Sequence, residues 1–133
     1  KVKYTSVINV GNPHIIFWFD SIKNIKPEII GPLVECHKIF PEKINVSFAE
    51  IVDKNNIKLA VWERGAGITR ACGTAACAAA YSAMKLGLAS NNLNISLPGG
   101  ILEINIDPEG NIHKTGPVEL EYSSSMRMEE TDE

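Results

Sequence analysis

The sequence contains little arginine and no cluster of positive charge. It has three Arg against ten Lys, none of them in a run, and 16 acidic residues outweigh 13 basic ones, so the formal charge is −3. Proteins that bind nucleic acid or a membrane surface usually carry a basic stripe. The charge pattern therefore argues against partners of either kind.

The sequence also has little cysteine and no long apolar run. Its three Cys are an odd number without CxxC spacing, and it shows neither a signal peptide nor an apolar run of about 18 residues. These absences predict a protein of a reducing cytoplasm. The spacing of Cys36, His37, Cys72 and Cys77 does not match a structural zinc site, so we predict no metal. Lys1 is not an initiator Met, from which we expect either processing or a piece of a longer protein.

The rest of the composition is typical of one globular domain. The chain has 133 residues, of which 44% are hydrophobic. At this length folding buries roughly two thirds of the surface that the unfolded chain exposes, which is enough for one core without cross-links. We find no internal repeat or linker, and we predict one domain over residues 1–122 followed by an acidic tail over 123–133.

Runs of β-branched and aromatic residues, separated by turns rich in Gly, Pro and Asn, predict several strands. These strands cover residues 4–10, 14–19, 45–53, 57–62, 93–97, 101–107 and 118–122. Pro27 beside Glu28 predicts the first turn of an amphipathic helix, which Gly31 and Pro32 distort. Residues 63–71 are too rich in Gly for a regular element and are predicted as a loop.

A second helix is predicted over residues 72–86, and it is apolar nearly all round. Seven of the eleven Ala of the chain lie between positions 71 and 83. A surface helix would show a polar face, so this helix is expected to be enclosed by the strands. The sequence thus predicts a mostly β domain wrapped around one buried helix.

Cys72 follows the glycine-rich loop and opens the buried helix. The first amides of that helix, on Gly73 and Thr74, have no acceptor within the helix. Such a helix start binds anions, and its dipole favours a thiolate over a thiol. Two interpretations follow: Cys72 is a small buried side chain, or it is a reactive thiol beside a bound carboxylate. In the second case we expect the loop to leave the thiol accessible in the absence of the other half of the protein, and Cys72 to be the most reactive of the three thiols.

Charged residues around the same loop also allow two interpretations. Glu63 and Arg64 form either a surface ion pair or a site for a zwitterion, and their position beside the loop favours the zwitterion. His14 is either a core histidine or a polariser near an active thiol. Cys77 is rotated by about 140° and displaced by about 7.5 Å from Cys72 on the helix, so the two thiols cannot share one substrate carbon.

Several short motifs occur together in the order and approximate spacing of a known family. They are Gly11-Asn12-Pro13-His14, Phe40-Pro41-Glu42 with Asn45-Val46, Trp62-Glu63-Arg64-Gly65-Ala66-Gly67, Thr69-Arg70-Ala71-Cys72-Gly73-Thr74 and Pro98-Gly99-Gly100. With these motifs the chain resembles the carboxyl-terminal half of diaminopimelate epimerases over about positions 8 to 118. The resemblance implies an α+β fold in which a mixed sheet curls into a barrel around one buried central helix.

The resemblance also implies an activity and the residues that perform it. Members interconvert LL- and meso-diaminopimelate, a step towards lysine and peptidoglycan precursors, without pyridoxal phosphate or another cofactor. One cysteine removes the α-proton as a thiolate and the other delivers a proton to the opposite face; Cys72 matches the cysteine of the second half. The other matching positions are, by implied role, Gly73 and Thr74 as donors to the reacting carboxylate, Glu63 and His14 near the reaction centre, and Asn12, Asn45, Glu63 and Arg64 in substrate binding.

The chain departs from the family pattern in three respects. Ile68 replaces a common Glu and Ala75 a common Gly, and the first half with its own cysteine is absent. Inversion by two bases needs groups on opposite faces of the carbon, so we expect this half alone to be inactive. Its expected partners are the missing half and a small-molecule substrate, and a second copy of the chain is expected to take the place of the missing half. A silent anion-binding domain and a cysteine-dependent racemase built from paired copies remain as alternatives.

Overall fold

A mixed sheet curls around one helix in the computed structural model of the chain. The structure describes residues 1–70, 72–116, 123–127 and 129–130, the last two ranges by their backbone only. Its helices are α1 (Pro27–Glu35) and α2 (Gly73–Lys85), neither of which is long and apolar enough to cross a membrane. The strands are β1 (Val2–Asn9), β2 (Pro13–Phe19), β3 (Asn45–Asp53), β4 (Asn56–Glu63), β5 (Gly67–Thr69), β6 (Asn92–Leu97), β7 (Gly100–Ile106), β8 (Asn111–Thr115), β9 (Ser123–Arg127) and β10 (Glu129–Glu130).

The strand order brings the two edges of the sheet together. It runs β10-β1-β2-β3-β4-β6-β7-β8-β9, with β5 attached to β4. The pairs β2/β3 and β4/β6 are parallel, and the other pairs are antiparallel. Strands β9 and β10 stand at opposite ends of this order although one residue separates them in the chain. The sheet must therefore curl until its edges meet, which confirms the expected mixed sheet around a central helix.

Helix α2 fills the inside of the curled sheet, as predicted. Its buried residues are almost all small: Ala75, Ala76, Cys77, Ala78, Ala79, Ala80, Ser82 and Ala83. Small side chains let Ile16 and Trp18 of β2 pack close to the helix backbone. The Ser82 hydroxyl accepts a 2.9 Å hydrogen bond from the Trp18 indole and lies 2.7 Å from the Ser6 hydroxyl. This buried polar group is therefore satisfied, and it fixes the helix against β2.

Helix α1 lies on the outer side of the sheet, against β3, β4 and β5. It begins with Pro27 in its first turn, as predicted, and its Ile30 and Val34 pack into the apolar cluster on that face. Gly31 lies directly against the Trp62 ring, where a Cβ atom would come within 2.3 Å of Trp62 Cγ. The absence of a side chain at Gly31 therefore sets how closely α1 approaches β4.

We expect Gly31→Ala to lower the free energy of unfolding by about 2 kcal/mol. The new methyl group would overlap the Trp62 ring, whose indole N–H is held by a 2.8 Å hydrogen bond to Glu35 and cannot move without breaking it. The overlap outweighs the better helix propensity of Ala. Urea unfolding measures the change, with Leu33→Ala, at a position 70% exposed on the same helix, as the control. Equal stability of the two variants would contradict the assigned contact.

Two segments differ from the sequence-based prediction, and a third has no described structure to compare with it. The predicted loop over 63–71 contains the short strand β5, which pairs with β4, because three residues are too few to leave a periodic pattern. Much of the acidic tail predicted over 123–133 forms β9 and β10, which pair with β8 and β1. The strand predicted over 118–122 lies outside the described residues.

Candidate active site

Three neighbouring strands bring predicted site residues into one row at one end of the barrel. His14 of β2 pairs with Asn45 of β3, and Val46 pairs with Trp62 of β4. Glu63, the next residue of β4, therefore lies beside Asn45. The row joins residues that are up to about fifty positions apart in the sequence, and the parallel pairing of β2 with β3 creates it.

Asn45 is the centre of this row. Its side chain is buried, its Nδ2 donates a 2.9 Å hydrogen bond to the Pro13 carbonyl, and its Oδ1 accepts a 2.7 Å bond from the backbone N–H of Arg64. The Arg64 guanidinium in turn donates to the Glu42 carbonyl at 3.2 Å. One amide side chain thus ties the start of β2 to the loop that carries Arg64.

His14 is fully buried and uncharged at neutral pH. Burial, with a smaller effect of the nearby Arg64 charge, lowers the pKa of His14 from 6.5 to about 4. Its Nε2 lies 3.3 Å from Asn12 Oδ1, so a proton on Nε2 would leave Nδ1 as an acceptor. Nδ1 has no hydrogen-bond partner among the described residues, and neither has the buried hydroxyl of Ser47 on β3. The unpaired Nδ1 is therefore available to accept a hydrogen bond from a bound water or ligand.

Cys72 is the residue that caps the start of α2. Its backbone is extended, and its Sγ lies 3.6 Å from Thr74 Oγ1. The N–H groups of Gly73 and Thr74 belong to the first turn, where the helix offers no acceptor. Thiol, hydroxyl and amides therefore meet at the positive end of the helix, as the sequence predicts.

Cys72 and His14 lie at the same end of the barrel. Strands β2 and β3 are parallel, so both start at this end, and the antiparallel β4 finishes there. The chain then passes through the short strand β5 into α2, which therefore starts near the same end. The hydrogen bond between Trp18 of β2 and Ser82 of α2 shows that these two residues lie at the same height along the barrel. From that level, His14 lies about 13 Å back along β2 and Cys72 about 15 Å back along α2. Strand alternation places His14 on the side of β2 that faces α2, so the two groups are at matching heights.

The expectation of an accessible Cys72 thiol is wrong. Cys72 is only 8% exposed and belongs to the apolar core around α2. Its neighbour in the core, Cys77, is fully buried, and burial raises the pKa of Cys77 to about 11. Cys36, in contrast, is exposed.

We expect the three thiols to react with iodoacetamide at neutral pH in the order Cys36, Cys72, Cys77. Cys36 is exposed, Cys72 is partly reachable at the helix start, and Cys77 is both buried and almost entirely protonated. Peptide mapping at several times gives the three rates, with Cys36 as the internal reference for an open thiol. Labelling of Cys77 before Cys72 would contradict the position of Cys72 at the rim of the core.

Arg70 holds the loop before α2 against the turn between β6 and β7. The Arg70 guanidinium donates a 3.2 Å hydrogen bond to the Pro98 carbonyl, and the Arg70 carbonyl accepts a 2.7 Å bond from Gly99. A Cβ atom on Gly99 would lie 2.8 Å from that carbonyl oxygen, so the turn needs glycine. Arg70 therefore connects the loop before α2 to the turn between β6 and β7.

Sequence analysis missed two charged residues near the site. Glu35, at the end of α1, is buried, and its carboxylate accepts hydrogen bonds from the Trp62 indole at 2.8 Å and the Gly65 N–H at 3.0 Å. Lys114 of β8 extends to the start of α2, where its Nζ lies 2.6 Å from the position that a Cβ atom on Gly73 would occupy. Neither residue belongs to a local motif, since each reaches the site from a distant element.

The fold is shared with solved structures that are distant in sequence. A phenazine biosynthesis protein of the PhzF family from Enterococcus faecalis superposes with a TM-score of 0.64 at 15% identity, covering 84% of this chain and 42% of that chain. A putative PhzC/PhzF protein from Clostridium difficile (strain 630) gives 0.63 at 17% identity, with coverages of 87% and 47%. The chain thus falls in the class of proteins in which a curled sheet encloses a central helix.

Sequence comparison identifies the family within that class. The model of the family described as diaminopimelate epimerase matches residues 6–121, and the chain belongs to this family. The diaminopimelate epimerase of Afipia carboxidovorans is 48% identical over 118 residues, which are 88% of this chain and 41% of the relative. That of Pelagibacter ubique is 51% identical over 111 residues, 84% and 40% of the two chains. The chain therefore spans about two fifths of the length of the curated relatives it matches.

Proposed function

We propose that this chain is the carboxyl-terminal half of a cofactor-independent epimerase that interconverts LL- and meso-diaminopimelate. The observation that carries the proposal is the position of Cys72, at the start of α2, at the same end of the barrel as His14 and Asn45 on the strands. Membership of the diaminopimelate epimerase family supports the choice of substrate.

The start of α2 binds the carboxylate next to the reacting carbon. The N–H groups of Gly73 and Thr74 and the positive end of the helix dipole favour an anion there. A carboxylate in that place brings the α-carbon next to Cys72 Sγ. As a thiolate Cys72 removes the α-proton, and as a thiol it supplies a proton to the carbanion, depending on the direction of the reaction.

The row at the strand ends orients the rest of the substrate. The Glu63 carboxylate suits the α-ammonium group, and the unpartnered Nδ1 of neutral His14 accepts a hydrogen bond next to the reaction centre. Arg64, Asn12 and Asn45 hold the substrate further from the reacting carbon.

The opposite face of the α-carbon needs a second acid or base. Cys77 does not supply it, because it is fully buried within α2 on a different side from Cys72. We propose that the amino-terminal half of a cytoplasmic, two-half enzyme supplies that group. The partner of this chain is then that half, with a second copy of the chain as a substitute.

The test joins this chain to the amino-terminal part of the Afipia carboxidovorans epimerase in place of the segment it matches. We expect this chimera to interconvert LL- and meso-diaminopimelate and to exchange the α-proton in deuterated water. A chimera that folds but neither interconverts the isomers nor exchanges the α-proton would contradict the proposed function.

We expect the chain alone to show no stereoinversion of either isomer. One thiol can take up and return a proton on one face only, so the configuration of the carbon is retained. The measurement is α-proton exchange and chiral analysis of both isomers in deuterated water. Inversion at an enzymatic rate would favour a racemase assembled from paired copies, whereas binding without exchange in chain and chimera would favour an anion-binding domain.

A further inference from the structure

We propose that Glu35 is a positioning residue that fixes the substrate loop, defined as residues 63–67, in its binding conformation. The proposal rests on the proposed function, because it concerns how Glu63 and Arg64 are presented to the substrate. Glu35 itself reaches no reacting atom in this arrangement; it acts through the backbone of the loop and through Trp62.

Two successive amides of the substrate loop are held by buried side chains from two different elements. The N–H of Arg64 donates to Asn45 Oδ1 at 2.7 Å, and the N–H of Gly65 donates to Glu35 Oε2 at 3.0 Å. Asn45 stands at the start of β3 and Glu35 at the end of α1. The loop is thus clamped from both sides of the sheet at the residue that carries the guanidinium.

The same carboxylate also holds the strand from which the loop leaves. Its second oxygen, Oε1, accepts a 2.8 Å hydrogen bond from the Trp62 indole. Gly31 allows this contact, because it lets α1 lie directly against the Trp62 ring. Both oxygens of Glu35 are therefore used, and strand end and loop are fixed relative to each other.

The hydrogen bonds of Glu35 favour its ionised form. The hydrogen bonds from Trp62 and Gly65, with smaller contributions from the charges of Lys43 and Arg64, hold the pKa of Glu35 below its ordinary value of 4.5. The carboxylate is therefore ionised at neutral pH and acts only as an acceptor.

Fixing the substrate loop before the substrate binds lowers the entropy that is lost on binding. An unclamped loop would have to be ordered by the substrate itself, which weakens binding but leaves the thiol chemistry at α2 untouched. Loss of the clamp is therefore expected in KM and not in kcat. The substitution Glu35→Gln makes this test, because the carboxamide keeps the size of the side chain but turns an NH₂ group towards one of the two donors.

The experiment compares Glu35→Gln with Glu28→Gln, an exposed carboxylate on the same helix, in the chimera described above. We expect KM for diaminopimelate to rise about tenfold in Glu35→Gln, as the loss of a hydrogen bond to a charged group predicts, with kcat within about twofold. Glu28→Gln should match the parent. A parent chimera without turnover would count against the proposed function, whereas an active parent with unchanged KM in Glu35→Gln would overturn the role of Glu35 alone.

A second measurement uses the chain itself and needs no turnover. Hydrogen exchange by NMR at neutral pH should be about tenfold faster in Glu35→Gln at the donor that the carboxamide NH₂ faces, either the Gly65 amide or the Trp62 indole, and unchanged at the amides of α2. A general loss of stability would instead raise exchange in α2 as well. Unchanged exchange at both the Gly65 amide and the Trp62 indole, or equal acceleration throughout the chain, would overturn the proposal.

Discussion

Replacing Cys72 by Ser in the chimera should lower turnover of diaminopimelate by about 10²–10⁴-fold, in both directions. Each inversion uses one group as base and the other as acid, so loss of either role stops both directions. A Ser hydroxyl at the start of α2 keeps the size and the position of the thiol but is a far weaker acid. The measurement is the initial rate from LL- and from meso-diaminopimelate, with binding of each isomer followed separately.

Two other cysteines of the chain provide the controls for this result. Cys36→Ser changes an exposed thiol, and Cys77→Ala adds one more Ala to a helix face built from Ala. Both variants should keep turnover within about twofold of the parent. If Cys72→Ser kept more than about a tenth of the activity, Cys72 would not be one of the two acid and base groups.

The chain should lose about 2 kcal/mol of stability between pH 6.5 and pH 5 through His14 alone, and about 3 kcal/mol by pH 4. Burial lowers the pKa of His14 from 6.5 to about 4 in the folded chain. Between these two values the unfolded chain binds a proton that the folded chain does not, so stability falls as the pH falls. His14 has no exposed surface, and solvent screening therefore does not reduce the effect.

The pH range separates this effect from that of the carboxylates. The pKa values of Glu35, Asp53 and Asp107 are held below their ordinary values, so these groups reduce stability only as the pH falls below about 4.5. Urea unfolding of the chain at several pH values from 7 to 5 gives the slope of the unfolding free energy against pH. The slope should nearly vanish in His14→Asn and persist in the control His37→Asn, an exposed histidine. A flat profile in the parent chain would show that His14 is not buried uncharged.

Local patterns predicted the parts of the fold that depend on one element at a time. The run of Ala after Cys72 predicts a buried helix because only a helix enclosed by other elements lacks a polar face. The hairpins β1–β2 and β3–β4 follow from alternation and turn residues. Strand β5 and the pairing of β10 with β1 were missed, because these short segments are held by backbone hydrogen bonds to neighbours that sequence alone does not reveal.

The residues of the candidate site also divide into those that local motifs predict and those that only the folded structure brings together. Motif matching found Cys72 and Asn45, whose positions belong to short motifs of the chain. It did not find Glu35, since the partners of this carboxylate, Trp62 and Gly65, are about thirty residues away and are reached only after α1 packs on β4. Sequence also left open whether the Cys72 thiol is buried, because a glycine-rich loop says nothing about the strands that enclose it.

The meeting of the first and last strands has a consequence for synthesis on the ribosome. Synthesis runs from the amino terminus, so β1 is made before the other strands of this sheet, yet its outer neighbour β10 comes about 120 residues later. Until then the nascent sheet has an open edge at β1, and α2 is only partly enclosed. Open strand edges and incompletely covered apolar helices are the surfaces on which nascent chains associate or chaperones bind. Closure of the barrel is therefore a late event, and the edge of β1 and the apolar surface of α2 stay exposed for a long time before the native state forms.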